Sequence, residues 1–92
     1  MTEALVLPAR LDATELGAFA PRLVDACKGG ALHLDASDVT HLGALGTQLI
    51  ISAAREQRSR GGTLEFSAIS ERAVNQLAMM GLTPQQLSEG AP

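Results

Sequence analysis

Tryptophan and tyrosine are absent from this 92-residue chain, and only Phe19 and Phe66 carry aromatic rings. A nucleic-acid surface wants a basic stripe with stacking rings; two aromatics and a net charge of −3 argue against that class. The core must then be built from Leu, Val, Ile and Ala. Cysteine is reduced to Cys27, so no internal disulfide forms and a reducing cytoplasm is the expected compartment. No apolar run approaches the ~20 residues of a membrane span, and the N-terminus lacks the basic start and long apolar region of a leader. Repeats, linkers and low-complexity segments are also missing. What is present is 46% hydrophobic, which excludes disorder. The length suits one domain over residues 1–92 with a single core.

Catalytic groups are equally sparse. His33 lies in an apolar strand and reads as a structural histidine, while Cys27 falls on the apolar face of a helix. Nothing orients the two as a pair, and no third group is evident. Two histidines and one cysteine at these spacings match no metal pattern. Gly43 and Gly46 lack the lysine and the spacing of a phosphate loop. We therefore expect no enzyme, no cofactor and no metal.

The organising stretch is residues 32–60. Leu32, His33 and Leu34 alternate into Asp35, a strand that ends in the turn residues Asp35, Ser37 and Asp38. Residues 38–42 make a connection of the length usual between a strand and a helix. Gly43 to Gly46 open a helix in which Leu49, Ile50, Ala53 and Ala54 recur at helical spacing. Arg55, Arg58 and Arg60 complement the dipole at its far end, and Gly61 and Gly62 supply the stop. This aims the helix N-terminus at the loop after a strand, where α/β proteins read ligands and partners.

Around this centre, Ala4 to Leu7 form a short strand closed by Pro8, with Ala9, Arg10 and Leu11 continuing as an edge. Asp12 and Glu15 are spaced as a capping box before Leu16, Phe19, Leu23, Val24 and Cys27, a helical run that ends at Lys28, Gly29 and Gly30. Pro21 sits inside that run and predicts either a kink near Gly17 or a late start at Ala18. Leu64, Phe66 and Ala68 alternate with Thr63, Glu65 and Ser67 in a half-buried strand. Ser70 caps a third helix whose buried stripe is Val74, Leu77 and Ala78 and which Gly81 closes; Met79 and Met80 lie at its end, with one of the pair expected at the surface. Thr83 and Pro84 start a last short helix around Leu87, and residues 88–92 are expected to fray. Strands separated by helices pair in parallel, and the first short pair is open to antiparallel pairing. The fold class is α/β, a small mixed sheet of about four strands with helices packed against it.

Asp35, Ser37 and Val39, a short spacer and then Gly46 at a helix start resemble the STAS domain family. That family includes the bacterial anti-sigma factor antagonists and carries Asp-x-Ser-x-Val followed by Asp-Ser-Ser-Gly. Where the family has Asp, Ser and the phosphorylated Ser, this chain has Gly43, Ala44 and Leu45, so it resembles a STAS domain without its phosphoacceptor. Residues 39–46 look most like the STAS proteins found beside chemotaxis genes in proteobacteria. The resemblance implies a cytoplasmic protein-interaction module in bacterial signalling. Its partner would be a histidine-kinase or chemotaxis component, met through the face carrying Asp38, Thr40, His41, Leu42, Ala44, Leu45 and Thr47. Two alternatives stay open: an antagonist binding an anti-sigma serine kinase, and an accessory subunit of a lipid-transport ATPase. Asp35 and Asp38 read equally as turn chemistry or as an acidic part of that face. Leu45 reads equally as an exposed contact or, four residues before Leu49, as core.

Overall fold

Among residues 4–27 and 30–90, which the computed structural model describes, the order is β1 (Leu5–Val6), α1 (Ala13–Ala26), β2 (Ala31–Ala36), α2 (Gly43–Ser59), β3 (Thr63–Ile69), α3 (Glu71–Met79) and α4 (Pro84–Ser88). The expected α/β architecture is present, with three strands in place of about four. The sheet runs β1-β2-β3 and is parallel throughout, so the mixed pairing expected of the first strands does not occur. Pro8 has no N–H to continue the ladder. The stretch after it makes only a single parallel bridge, Arg10 to His41.

Consecutive right-handed crossovers in the order 1-2-3 put α1 and α2 on the same face of the sheet. Burial agrees: Leu32, Leu34 and Ala36 of β2 and Leu64 of β3 are buried, whereas Thr63, Glu65 and Ser67 are exposed. The alternation expected for β3 fails after Phe66. Leu34 pairs with Phe66 but Asp35 pairs with Ala68, so Ser67 is an extra residue, and its hydroxyl donates to the Leu34 carbonyl at 3.3 Å. A bulge shifts the two-residue period by one. Ile69 therefore packs on the core and Ala68 is exposed.

Asp12 caps α1 by accepting the Glu15 N–H at 3.1 Å. The helix then runs through Pro21 to Ala26, and the late start at Ala18 does not occur. Gly17, whose carbonyl Pro21 cannot serve, is a solvent-exposed residue, where the loss of that donor costs less than it would in the core. Lys28 and Gly29, expected at this helix end, lie outside the described residues. The far end of α2 closes as the glycine pair predicts: Gly61 has φ 77°, its N–H donates to Arg58, and the Gly62 N–H donates to Gln57. In α3 the buried stripe is Ala73 and Leu77 with Val74 beside them. Ala78, expected inside, is exposed because capping at Ser70 turns Ala73 to the core, and Leu77 lies one turn on.

The five residues of α4 are too few to hold a helix alone. Thr83 and Gln86 form a full capping box, and the complete burial of Leu87 contributes about 1.5–3 kcal/mol. Residues 88–90, expected to fray, are anchored: the Arg55 Nε donates to the Gly90 carbonyl at 2.9 Å and Gly90 is buried against that side chain. Ala91 and Pro92 lie outside the described residues.

One close approach seats α2. A Cβ on Gly46 would stand 2.6 Å from the Leu11 Cβ, so only glycine lets the helix start come this near. Gly46→Ala should destabilise the domain by about 1–3 kcal/mol in urea titrations. Gly17→Ala, with nothing within 4 Å of the added carbon, should instead stabilise it by about 0.5–1 kcal/mol. Equal midpoints for the two variants would contradict this packing.

Candidate partner-binding site

The site begins where β2 ends. Asp35 accepts both the Ser37 N–H at 3.0 Å and the Ser37 hydroxyl at 2.6 Å, turning the chain away from the sheet. Those bonds, the hydroxyl's first, hold the Asp35 carboxyl below its ordinary range. The turn-chemistry reading of Asp35 is thus realised, while Asp38 projects into solvent. Val39 is buried and anchors the loop to the core.

Two flanking segments then hold residues 39–42. On one side the Ala9 carbonyl accepts the Thr40 N–H at 2.7 Å, the His41 N–H at 3.1 Å and the Thr40 hydroxyl at 3.1 Å, and the Leu11 N–H donates to His41 at 2.9 Å. On the other side, α3 supplies the Ser70 hydroxyl to the Val39 carbonyl. Its Gln76 accepts the Leu42 N–H at 2.7 Å and donates to the Thr40 carbonyl at 2.9 Å. Gly43 has φ 67°, and the His41 Nε2 would stand 3.2 Å from any Cβ there. That left-handed conformation explains glycine at this position.

The start of α2 carries no side-chain cap and no acidic residue in its first turn. Within it the expected site residues separate. Asp38, Thr40, His41, Ala44 and Leu45 are exposed, Leu45 to 59%. Leu42 and Thr47, expected on the same face, are each only 2% exposed and belong to the core. The Leu42 side chain packs into the core while its N–H is held by Gln76. Thr47 turns inward with the stripe of Ile50 and Ala54, and its hydroxyl donates to the Gly43 carbonyl at 2.7 Å and faces the Met80 sulfur at 3.8 Å. At 100° per residue Leu45 points away from that stripe, so its two readings resolve to exposed. Both Met79 and Met80 reach the surface, Met79 to 88%.

The remaining reactive groups lie elsewhere. His33 stands 4.0 Å from Glu65 across β2 and β3. Cys27 is buried at the end of α1, where desolvation pushes its thiol up against the opposing pull of Arg60. The Arg60 guanidinium donates to the Cys27 carbonyl at 3.2 Å, so this thiol lies by the far end of the 17-residue α2, about 25 Å from His41. Among the described residues no three His, Cys, Asp or Glu side chains come together, and no helix is long and apolar enough to cross a membrane.

A family model described as "Mlab, STAS domain" matches residues 2–87. The chain belongs to the STAS domain family. No curated protein and no solved structure matches it. In this STAS domain Leu45 stands immediately before Gly46 in the first turn of α2. Gln76, Ser70 and the Ala9 carbonyl were not expected at the site. Periodicity places Gln76 on α3 but says nothing of which loop its amide reaches.

Two expectations follow. Leu45→Asp should melt within about 0.5 kcal/mol of the parent, as exposed substitutions do, whereas Leu42→Asp should lose several kcal/mol because a carboxylate is buried unpaired. Similar thermal midpoints for both would contradict the placement of these leucines. Separately, incubation with ATP and an anti-sigma-type serine kinase should leave the intact mass unchanged, because Leu45 offers no nucleophilic oxygen and the Thr47 hydroxyl is buried. Leu45→Ser should gain one phosphoryl group. A stoichiometric phosphoryl gain on Thr40 or Thr47 of the parent would overturn the reading.

Proposed function

We propose that this STAS domain is a non-enzymatic docking module of bacterial cytoplasmic signalling that binds a histidine-kinase or chemotaxis-array protein. The contact surface is formed by Asp38, Thr40, His41, Ala44 and Leu45. The observation that carries this reading is the exposed Leu45 at the acceptor position, on a helix start whose approach loop is held from both sides. An exposed leucine on rigid backbone loses little ordering entropy on association, and its burial contributes about 1.5–3 kcal/mol. The polar groups around it, Asp38, Thr40 and His41, suit the rim that surrounds an apolar contact.

Leu45 carries no hydroxyl, and the exposed hydroxyl of this surface, that of Thr40, donates to the Ala9 carbonyl; in this reading, binding is not released by the family's usual switch. The two other partner classes, an anti-sigma serine kinase and the ATPase of a lipid transporter, are the comparison arms of the test. Calorimetric titration of the purified domain against all three, each taken from the same genome, should give saturable binding to the histidine-kinase or array protein. Leu45→Asp should weaken that binding at least tenfold. Binding to the serine kinase or the ATPase alone would replace the proposed partner with that one. Full affinity in Leu45→Asp would move the surface elsewhere.

A further inference from the structure

The first residue of α2 is preceded by a leucine, and leucine cannot cap a helix. Its backbone N–H nonetheless has a partner, which comes from another helix. The Gln76 Oε1 accepts the Leu42 N–H at 2.7 Å while its Nε2 donates to the Thr40 carbonyl at 2.9 Å. The two bonds fix which end of the amide is oxygen, since a backbone N–H needs an acceptor and a carbonyl needs a donor. One planar group thus closes a bridge across 34 to 36 residues of sequence. In a capping box the side chain that reaches back to the N-cap N–H is the third helical residue; here α3 supplies that bond.

Two further contacts line up along α3. Ser70 at its cap donates to the Val39 carbonyl, and the Met80 sulfur at its end lies 3.8 Å from the Thr47 hydroxyl, whose one proton goes to the Gly43 carbonyl at 2.7 Å. The loop and first turn of α2 are therefore attached to α3 at its start, its middle and its end. Only the middle attachment reaches the N-cap residue itself.

We infer that Gln76 is the positioning residue of the partner-binding surface, capping α2 from α3 so that residues 40–42 and the exposed start of α2 are held in one shape. The inference rests on the proposed surface for its purpose, but its test needs no partner. Failure of the clamp is therefore distinguishable from failure of the docking assignment.

Amide hydrogen exchange on the whole 92-residue chain tests it. In Gln76→Leu, which keeps much of the side-chain volume and removes both bonds, the Leu42 amide should exchange at least tenfold faster than in the parent. The Leu34 and Ile50 amides should stay within twofold. Gln76→Glu retains an acceptor for the same N–H, and when protonated, at about pH 4, it also retains a donor for the Thr40 carbonyl; under those conditions it should restore Leu42 protection to within threefold of the parent, a rescue that a merely space-filling role would not produce. Unchanged Leu42 exchange in Gln76→Leu would overturn the inference. So would an equal acceleration at all three amides, or a Gln76→Glu variant that exchanges as fast as Gln76→Leu.

Discussion

Parallel pairing of β2 with both of its neighbours obliges the chain to cross the molecule twice, and the helices that carry those returns set the rest of the fold. Both lie on one face, so a single layer of Leu, Ile, Val and Ala, joined by Phe19, makes the core. The loops from the C-terminal ends of the strands then gather at one end of the sheet. The segment after β1 and the loop after β2 meet there, and the bridge between Arg10 and His41 records the meeting. Close seating of α2 depends on Gly46, which lets the helix start pass within van der Waals reach of Leu11. A larger residue would lift the end of α2 that the surface needs.

The consequence is a surface built on restrained backbone. Its loop takes three donors onto one carbonyl on the β1 side and two side chains from α3 on the other. Loops that bind by ordering themselves sacrifice affinity to conformational entropy. This one has already been ordered by folding. The left-handed Gly43 has the same effect at the helix start, since its conformation is maintained by the fold around it rather than by a ligand.

Local chemistry was readable where it is local. The cap at Asp12, the cap at Ser70, the box at Thr83 with Pro84, and the stops at Gly61 and Gly81 depend on residues within a few positions of one another. Each forms where the spacing put it. Period and family pattern together also located the strand, loop and helix of the site. What could not be read depends on distant partners. The bulge at Ser67 is a matter of pairing with β2, and nothing in residues 63–69 alone marks it. Leu42 and Thr47 turn inward where they meet Gln76, Gly43 and Met80, two of which lie 34 and 33 positions away from their partners. Pro21 does not delay the helix start: α1 begins at Ala13 and runs through it, with Gly17 at an exposed position.

The proposed assignment of Leu45 to the family's acceptor position has a further physical side. The start of α2 has no acidic residue in its first turn, and the neutral Gln76 amide that holds the Leu42 N–H leaves the positive end of the helix dipole without a compensating charge. A phosphate there would be stabilised by that field and would add a charge of about −1.5 to −2 to the contact surface. With leucine in place, no charge arrives and the apolar group is permanently on offer. The one hydroxyl in the first helical turns, that of Thr47, is spent on the Gly43 carbonyl beneath the surface. Phosphorylation of Thr47 would require breaking that bond and exposing a buried side chain, whereas binding as proposed requires neither. Under the proposed function, then, occupancy of this surface follows the concentration and state of its partner rather than phosphorylation at position 45 or at Thr47.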